Sequence, residues 1–433
     1  AKATITSVTA TQLQVIAPAN EAGECIIEVM VGAQKTENLR FTYVDYNPVV
    51  SSISPSSGTE NTEITIIGEN FSTTPEENIV KIGDAIATVK YATETELKII
   101  APQNEIGTYA VTVSVGVKTG KNPALFTYED TRERIYECTQ NFITVPSDIN
   151  TQDLKSVTFL KDGRLAYSTN GGSATEAWAI DLRTMEREKI VPNGTGTVLL
   201  KITTNPTNGK LYLAYKGEDK ISVWDPNTKQ VSDLLTRNGL DNLMDVKFDQ
   251  YNNMYAVCRN SGTIQKYPSG NYNSSSRLEF VKITGRQIQA IAFDAAGNLI
   301  AAATDGSNAG YIYKVDSSGA YTLIAGGGNK VITEDITEDP KTAKLEKAEG
   351  LMVDKDGYIW FSDGNSGTRK TKILKPGKNG YQDATIILVC KAENGWKDSG
   401  TTSPVDFVQD TDGTIYIADG PNKAIHKVTI GYK

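Results

Sequence analysis

The stretch AEGLMVDKDGYIWFSD, residues 348–363, holds an apolar strand, an Asp-Gly turn and a second apolar strand. Five other segments repeat this pattern, starting at Leu154, Leu199, Leu243, Ile288 and Ser403. The turn residue is a glycine or an asparagine in each segment: Gly163, Gly209, Asn253, Gly297, Gly357 and Gly413. Such residues supply the positive φ of a tight hairpin. A third strand follows several hairpins, as in KISVWD and YIYKV. A strand unit that recurs every 44–60 residues predicts the blades of a propeller.

The repeated segments resemble NHL repeats, most clearly in LMVDKDGYIWFSD (residues 351–363) and in the long glycine-rich connection Leu323–Gly350. The resemblance spans about residues 150–430 and implies a six-bladed β-propeller. Blade one departs from the pattern with Ser168-Thr169-Asn170 after its second strand, and blade two lacks an aspartate there. The chain ends after the third strand of the last blade. We therefore expect residues 131–150, with the strand-like stretch Ile135–Val145, to supply the outer strand of the sixth blade.

The N-terminal part contains a different repeat. ATITSVTATQLQVIAPANEAG (residues 3–23) matches ATVKYATETELKIIAPQNEIG (residues 87–107) at a constant offset of 84. Residues 48–84 precede the second copy and have no equivalent in the first. The second copy resembles the IPT/TIG family of immunoglobulin-like sandwiches in Pro48, Ser54-Pro55, Gly58, Gly68-Glu69-Asn70-Phe71, Gly83, Ala101-Pro102 and Phe126-Thr127-Tyr128. We expect left-handed backbone at Gly68 and Asn70, and Phe71 capping the core.

These observations predict an all-β chain with three parts. Residues 1–45 are the C-terminal half of an IPT/TIG-like unit, 46–130 a complete immunoglobulin-like IPT/TIG domain, and 131–433 a six-bladed NHL-type propeller. A half sandwich leaves the face of Cys25, Ile27, Val29 and Val31 without a partner sheet. By the 84-residue offset, we expect about 37 further residues of this module upstream of Ala1.

Composition narrows the classes of function. The chain has 44 Lys+Arg against 52 Asp+Glu, a net charge of −8, which argues against a nucleic-acid binder. No apolar run approaches the ~20 residues of a transmembrane helix. The single histidine, His426, excludes sites with two or more histidine ligands, and we interpret it as a strand residue near the outside of the propeller. The four cysteines show no metal-ligand spacing, and Cys25, Cys258 and Cys390 are interpreted as buried thiols.

Candidate binding residues lie in the loops after the second strands and between the blades, which share one face of a propeller. They are Arg259, Arg286, Asp305, Asp363, Trp396 and Asp419. The three aspartates fit either a ring of oxygen ligands for a cation such as calcium or, as we favour, Asx turns that recur with the repeat. Trp396, in the loop AENGWKDSG, fits equally a stacking platform for a sugar and a lid on the propeller. We assign no catalytic residue, no metal ligand and no cofactor.

The combination of IPT/TIG units with NHL repeats resembles surface lipoproteins of polysaccharide-utilisation systems. That resemblance implies a non-catalytic, extracytoplasmic protein at the outer-membrane surface, its anchor outside this sequence. It would bind a glycan beside a TonB-dependent transporter and its partner lipoprotein. One alternative is a calcium-dependent hydrolase of the lactonase type, whose metal set Glu349, Asn260 and Asp305 would imitate. The other is a scaffold for protein–protein interaction, and fold alone does not decide among the three.

Overall fold

This computed structural model describes residues 2–18, 20, 22–36, 39–44, 47–120, 124–129, 132–145, 153–171, 174–194, 198–237, 239–332, 339–364, 370–377, 380–389 and 403–433. The chain divides into two compact units, Ala1–Glu133 and Arg134–Lys433. In the described ranges every regular element is a strand, apart from two short 3-10 turns at Pro75–Glu77 and Pro340–Thr342. No helix in those ranges has the length and apolar character needed to span a membrane.

The first 44 residues of unit 1 form three separate two-stranded antiparallel sheets. They are β1 (Thr4–Val8) with β2 (Leu13–Ile16), β3 (Gly23–Ile27) with β6 (Leu39–Tyr43), and β4 (Met30–Val31) with β5 (Gln34–Lys35). Their apolar side chains are largely exposed, including Val15, Ile27 and Val31. These hairpins are therefore formed by local pairing, without a buried core.

The rest of unit 1 is a β-sandwich in which nine strands are joined in the order β7-β9-β12-β11-β10-β13-β15-β8, with β14 beside β13. The strands are β7 (Val49–Ser54), β8 (Ser57–Gly58), β9 (Glu63–Glu69), β10 (Asn78–Ile82), β11 (Ala85–Ala92), β12 (Glu96–Ile100), β13 (Gly107–Val115), β14 (Lys118–Thr119) and β15 (Ala124–Tyr128). Strict alternation buries one face of each long strand, as in β9, where Ile64 and Ile66 are fully buried. They pack with Leu97, Ile99 and Phe126 in a single core.

The motif Gly68-Glu69-Asn70-Phe71 is built differently from the prediction at one position. Asn70 has a φ of +62° and Phe71 is buried in the sandwich core, both as expected. Gly68 does not adopt a positive φ. It is required for a close approach instead, since a Cβ there would lie 1.9 Å from the carbonyl oxygen of Val49.

Unit 2 is a propeller of six four-stranded blades. The first blade consists of β17 (Asp153–Phe159), β18 (Leu165–Gly171), β19 (Ala174–Ile180) and β20 (Arg187–Gly194). The second consists of β21 (Val198–Thr204), β22 (Leu211–Lys216), β23 (Lys220–Asp225) and β24 (Gln230–Thr236). The third consists of β25 (Leu243–Phe248), β26 (Met254–Cys258), β27 (Thr263–Tyr267) and β28 (Leu278–Lys282). The fourth blade consists of β29 (Gln287–Phe293), β30 (Leu299–Thr304), β31 (Gly310–Val315) and β32 (Tyr321–Gly326). The fifth consists of β35 (Leu351–Val353), β36 (Ile359–Asp363), β37 (Lys370–Gly377) and β38 (Gly380–Leu388). Between them β33 (Lys330–Val331) pairs with β34 (Ala343–Lys344).

The sixth blade joins the two ends of unit 2. It consists of β39 (Pro404–Gln409), β40 (Ile415–Asp419) and β41 (Ala424–Tyr432), with β16 (Arg134–Thr144) as its outer strand. Arg134 fixes the start of β16: its Nη1 donates to Asp354 Oδ2 at 2.7 Å, and its guanidinium lies 3.5 Å from the centre of the Tyr358 ring. The arginine side chain is 4% exposed and the aspartate side chain is fully buried, so this ion pair locks the closing strand to the fifth blade.

The repeated turn has the predicted geometry, with one shift. The five turn glycines have φ between +70° and +91°: Gly163, Gly209, Gly297, Gly357 and Gly413. In the third blade the positive φ, +64°, belongs to Asn252 and not to Asn253. The side chain of Asn253 instead donates to Asp249 Oδ2 at 2.8 Å, beside the turn.

Each junction between neighbouring blades holds its own buried apolar cluster. Polar side chains on the innermost strands add hydrogen bonds from one blade to the next. They join Asp406 Oδ2 to Val157 N (3.2 Å), Ser156 Oγ to Ile202 N (3.2 Å) and Asp245 Oδ2 to Ile291 N (3.1 Å). These backbone N–H groups lie at inner strand edges that have no further strand to pair with, so the side chains satisfy them.

The prediction of buried thiols is wrong for one cysteine. Cys25 is only partly buried, in a sheet of just two strands. Cys258 is buried as expected, and so is Cys138, in the closing strand. Cys390 lies outside the described residues.

Candidate functional site

The described loops that carry candidate residues lie on one face of the propeller, here called the upper face. In each blade the start of the first strand pairs with the end of the second, as in Gln287↔Thr304 and Pro404↔Asp419. The loop before the first strand and the loop after the second therefore emerge at the same edge. This arrangement places Arg259, Arg286 and Asp305 on the upper face.

Arg286, in the connection between the third and fourth blades, is held flat against an aromatic ring. Its guanidinium lies 3.8 Å from the centre of the Tyr311 ring, and its Nε donates to the Tyr313 hydroxyl at 3.0 Å. The two tyrosine rings lie nearly parallel, with an interplanar angle of 20°. Arg286 forms no ion pair with any carboxylate in the described part of the chain. Its position is thus fixed by neutral groups, and the carboxylate of Asp305 acts on its charge only through space.

Arg259, directly after the second strand of the third blade, lies beside this assembly. Its Nη2 donates to Gln287 Oε1 at 3.0 Å. Its Nε is buried and has no hydrogen-bond partner. Among the described residues, Arg259 also has no carboxylate within ion-pair distance. The two arginines therefore form one site at the corner of the third and fourth blades, with donors left over.

Asp305 belongs to the same corner but serves its own turn. Its Oδ1 accepts from the backbone N–H groups of Ser307 (2.8 Å) and Ala309 (3.1 Å), and its Oδ2 accepts from the Tyr311 hydroxyl at 3.0 Å. Hydrogen bonds from the Ser307 hydroxyl and from these groups lower the pKa of Asp305 to about 2. This is the Asx turn that the sequence favoured, and it also orients the ring beneath Arg286.

Asp363 and Asp419 do not share that geometry. Asp363 and Asp419 are the last residues of β36 and β40, whereas Asp305 follows the end of β30. Only two of the three aspartates therefore occupy the same position of the repeat. Each accepts a backbone N–H from the segment that leads into its own blade, Glu346 N at 2.6 Å and Ser403 N at 3.2 Å. Both aspartates are buried and tie the incoming connection to the second strand. Asp419 Oδ1 also accepts from the backbone N–H of Asn422 in its own turn, at 3.3 Å, whereas most of the loop after Asp363 lies outside the described residues.

The interpretation of His426 as a residue near the outside is wrong. The side chain is buried, with Nε2 3.1 Å from Asp419 Oδ2, and its Nδ1 accepts from the backbone N–H of Asn141 at 3.0 Å. Since Nδ1 is an acceptor, Nε2 carries the proton and donates to the carboxylate. The pair ties β41 to β40 and to the closing strand, and neither ring nitrogen is left for a substrate.

The residues of the lactonase alternative are engaged separately. Asn260 donates to Asp241 Oδ1 at 3.0 Å and accepts from Asn242 at 2.9 Å, while Glu349 pairs with Lys347. Within the described ranges, no group of three or more His, Cys, Asp and Glu side chains is placed to hold a metal ion. Trp396 lies outside the described residues.

Three lysines on the upper face, Lys155, Lys216 and Lys347, were not predicted from the sequence as site residues. Lys216 and Arg259 lie five residues after the first residue of the second strand, in the second and third blades. Burial lowers the pKa of Lys216, and Arg259, Lys347 and Lys155 lower it further, while Glu349 acts against them. The sequence did contain a signal for this feature, because Lys216 and Arg259 occupy the same repeat position in two neighbouring blades.

An ion pair joins the innermost strands of the second and sixth blades. Lys201, on the first strand of the second blade, has its Nζ 2.9 Å from Asp406 Oδ1 of the sixth blade, and it donates to the Val405 carbonyl at 2.8 Å. The two side chains are 5% and 2% exposed. The charges of Lys201 and Asp406 are thus neutralised within the ring of innermost strands.

Comparison with known proteins agrees with both units. Residues 48–128 match the sequence model of the IPT/TIG domain, so this part of the chain is an IPT/TIG domain. Unit 2 is a six-bladed β-propeller. No curated protein sequence matches the chain.

Solved structures share the fold at low sequence identity. A structural genomics protein of unknown function from Bacteroides thetaiotaomicron is 15% identical, with a TM-score of 0.52 over 89% of this chain and 98% of that chain. An auxiliary nutrient binding protein from the same species is also 15% identical, with a TM-score of 0.50 and the same coverage. Virginiamycin B lyase from Staphylococcus aureus, 12% identical, has a TM-score of 0.46 over 68% of this chain and 99% of that one. These likenesses concern the fold.

Proposed function

We propose that the chain is a non-catalytic binding protein that captures a glycan on the upper face of its propeller, at the corner formed by Arg259 and Arg286. The observation that carries the proposal is the state of these two arginines. Each is positioned by a neutral partner, Gln287 or Tyr313, and neither forms an ion pair with a described carboxylate. A guanidinium in this state keeps donors for a ligand.

A saccharide is the ligand class that suits these donors. A planar guanidinium can bridge two adjacent sugar hydroxyls with parallel N–H donors. Because Arg286 is already fixed on the Tyr311 ring, little side-chain entropy is lost when a ligand binds. Trp396, proposed from the sequence as an aromatic platform, remains part of this hypothesis.

The arrangement of the other polar groups supports binding without catalysis. A general acid or base must reach the substrate with a free proton-transfer atom. Both nitrogens of His426 are used within the chain, and Asp363 and Asp419 accept backbone N–H groups of their own blades. Asp305 stays ionised in its turn.

The cellular setting is part of the same proposal. The likeness in fold to a protein named as an auxiliary nutrient binding protein supports a role in nutrient capture. We infer that the chain acts outside the cytoplasm, as an outer-membrane surface lipoprotein beside a TonB-dependent transporter and its partner lipoprotein. Co-purification of the native protein with outer-membrane transporters tests this placement.

Affinity electrophoresis of the purified chain against a panel of neutral and acidic polysaccharides tests the binding role. We expect retardation by at least one polysaccharide, and at least tenfold weaker binding by Arg286→Gln, as expected for loss of a central interface arginine. Trp396→Ala should weaken binding by about 1–3 kcal/mol if the indole is an anchor. Arg183→Gln is the matched control, because Arg183 follows the third strand at the opposite edge and its side chain is 87% exposed. If no polysaccharide binds the wild-type chain, the proposed function is wrong.

A further inference from the structure

We propose that the glycan is anionic and that its acidic group, a carboxylate or a sulfate ester, is bound between Lys216 and Arg259. This inference rests on the proposed function and names the chemical class of its ligand. Three observations support it: the position of the two cations, the lack of an ion-pair partner for either of them among the described residues, and the chemistry of the guanidinium.

The position of the cations follows from the repeat. Lys216 ends β22 and Arg259 follows β26, at equivalent points of adjacent blades where both second strands reach the upper face. At the same position the remaining blades have Asn170, Thr304, Gly364 and Gly420, none of them charged. At this repeat position the positive charge is therefore confined to the second and third blades, next to the Arg286 corner.

Lys216 and Arg259 differ from nearby cations in their partners. Lys155 Nζ lies 3.1 Å from Asp153 Oδ2, Lys347 pairs with Glu349, and Lys220 Nζ lies 3.0 Å from Glu218 Oε2. No carboxylate in the described ranges pairs with Lys216 or Arg259. Two partly buried like charges thus occupy equivalent positions in adjacent blades of a chain whose net charge is −8. Repulsion between them raises the free energy of the unliganded protein, and a bound anion would remove that cost.

The guanidinium defines what can bind. Gln287 accepts from Nη2 of Arg259, and the Nε of Arg259 is buried, so a ligand would reach this guanidinium through its Nη groups. A carboxylate or sulfate oxygen accepts strongly from a guanidinium N–H, and a second oxygen of the same group can reach an ammonium. A neutral hydroxyl could accept the hydrogen bond, but it would not neutralise the positive charge. An acidic sugar satisfies both.

Isothermal titration calorimetry on the full chain tests the inference with three probes: polygalacturonate for carboxylates, dextran sulfate for sulfate esters, and dextran as the neutral reference. The variants are Lys216→Gln and the double variant Lys216→Gln/Arg259→Gln. Lys229→Gln is the matched control, since it removes one positive charge from the opposite edge, where Lys229 Nζ pairs with Glu188. Melting curves of each unliganded variant establish that it is folded.

We expect one acidic polymer to bind the wild-type chain. Its affinity should be at least about tenfold lower for each Lys216 variant and unchanged for Lys229→Gln. Raising the salt from about 0.05 M to about 0.5 M shortens the screening length roughly threefold and should weaken the wild-type affinity. Lys216→Gln should melt no lower than the wild type, because it removes repulsion and no ion pair. The probe that binds distinguishes a carboxylate from a sulfate.

Two results would overturn the inference, and they are distinguishable. If dextran or another neutral glycan binds and neither acidic polymer does, or if the double variant keeps full affinity for the acidic polymer, the anionic class is wrong while the binding role stands. If no polysaccharide of any charge binds, the proposed function fails and this inference fails with it.

Discussion

Residues 3–43 and residues 87–128 carry the same repeat, and the structure gives the two copies the same local hydrogen bonds. The Tyr43 hydroxyl donates to the Pro18 carbonyl, and the Tyr128 hydroxyl to the Pro102 carbonyl, both at 2.7 Å. The turn between the first two strands is also shared. Thr9 Oγ1 accepts from Gln12 N and Thr93 Oγ1 accepts from Glu96 N, each at 2.9 Å.

The two copies differ in burial. Leu13, Val15 and Phe41 are 37%, 42% and 40% exposed, whereas their equivalents Leu97, Ile99 and Phe126 are fully buried. The second copy has residues 48–84 in front of it, and β7, β9 and β10 come from that segment. Local sequence therefore determines the hairpins, but distant strands determine whether they contribute a core.

The largest loss of stability should come from removing a partner strand from the sixth blade, just as the first copy lacks the strands that would cover it. Deleting residues 134–145 removes β16, which pairs with β41 along nearly its whole length and carries the Arg134–Asp354 ion pair. The deletion also exposes the edge of β41 and leaves Asp354 buried without its cation. We expect the propeller to lose cooperative thermal unfolding, measured by differential scanning calorimetry. A mutant that melts like the parent would show that β16 is dispensable for the ring.

A smaller effect is expected from a matched pair of substitutions in the two copies. Phe126→Ala removes a fully buried ring and should destabilise the IPT/TIG domain by about 3–5 kcal/mol. Phe41→Ala, at the equivalent exposed position, should change stability by less than about 0.5 kcal/mol. Hydrogen exchange followed by mass spectrometry of peptides from residues 48–128 and 3–43 reports both. Equal effects would mean that the first copy is covered in solution.

The smallest effect concerns a contact that, like the Thr9 and Thr93 turns, is entirely local. Asp305 has its pKa lowered to about 2 in the folded chain by hydrogen bonds within its own loop. A carboxylate whose folded pKa is depressed stabilises the fold above its unfolded pKa and loses that contribution as the pH falls through the folded pKa. We expect wild-type thermal stability to fall slightly more than that of Asp305→Asn between pH 4 and pH 2. Parallel curves for the two proteins would contradict the role of this loop.

The sequence predicted well what is periodic and local. The repeated Gly turns, the six blades and the IPT/TIG motif depend on residues close together in the chain, and Asn70 and Phe71 behave as expected. Gly68 was chosen correctly for the wrong reason, because its constraint is a carbonyl 19 residues earlier, that of Val49.

The candidate site was harder to predict, because its contacts join residues far apart. Asp419 was considered as a cation ligand, yet it binds His426 and the segment before its own blade. Arg259 and Arg286 were identified, but the tyrosines that hold Arg286 and the lysine next to Arg259 were not. Their roles follow from the register between strands and between blades, which single positions in the sequence do not reveal.

The closing strand has a consequence for how the protein is made. Since β16 begins unit 2 and β41 ends it, the sixth blade unites residues such as Tyr136 and Ile430, which are separated by almost the whole unit. Contacts of this separation carry a large loop-closure cost and form late. During synthesis, five blades can leave the ribosome before β41 exists, so β16 stays without its partner strand until β41 has been made.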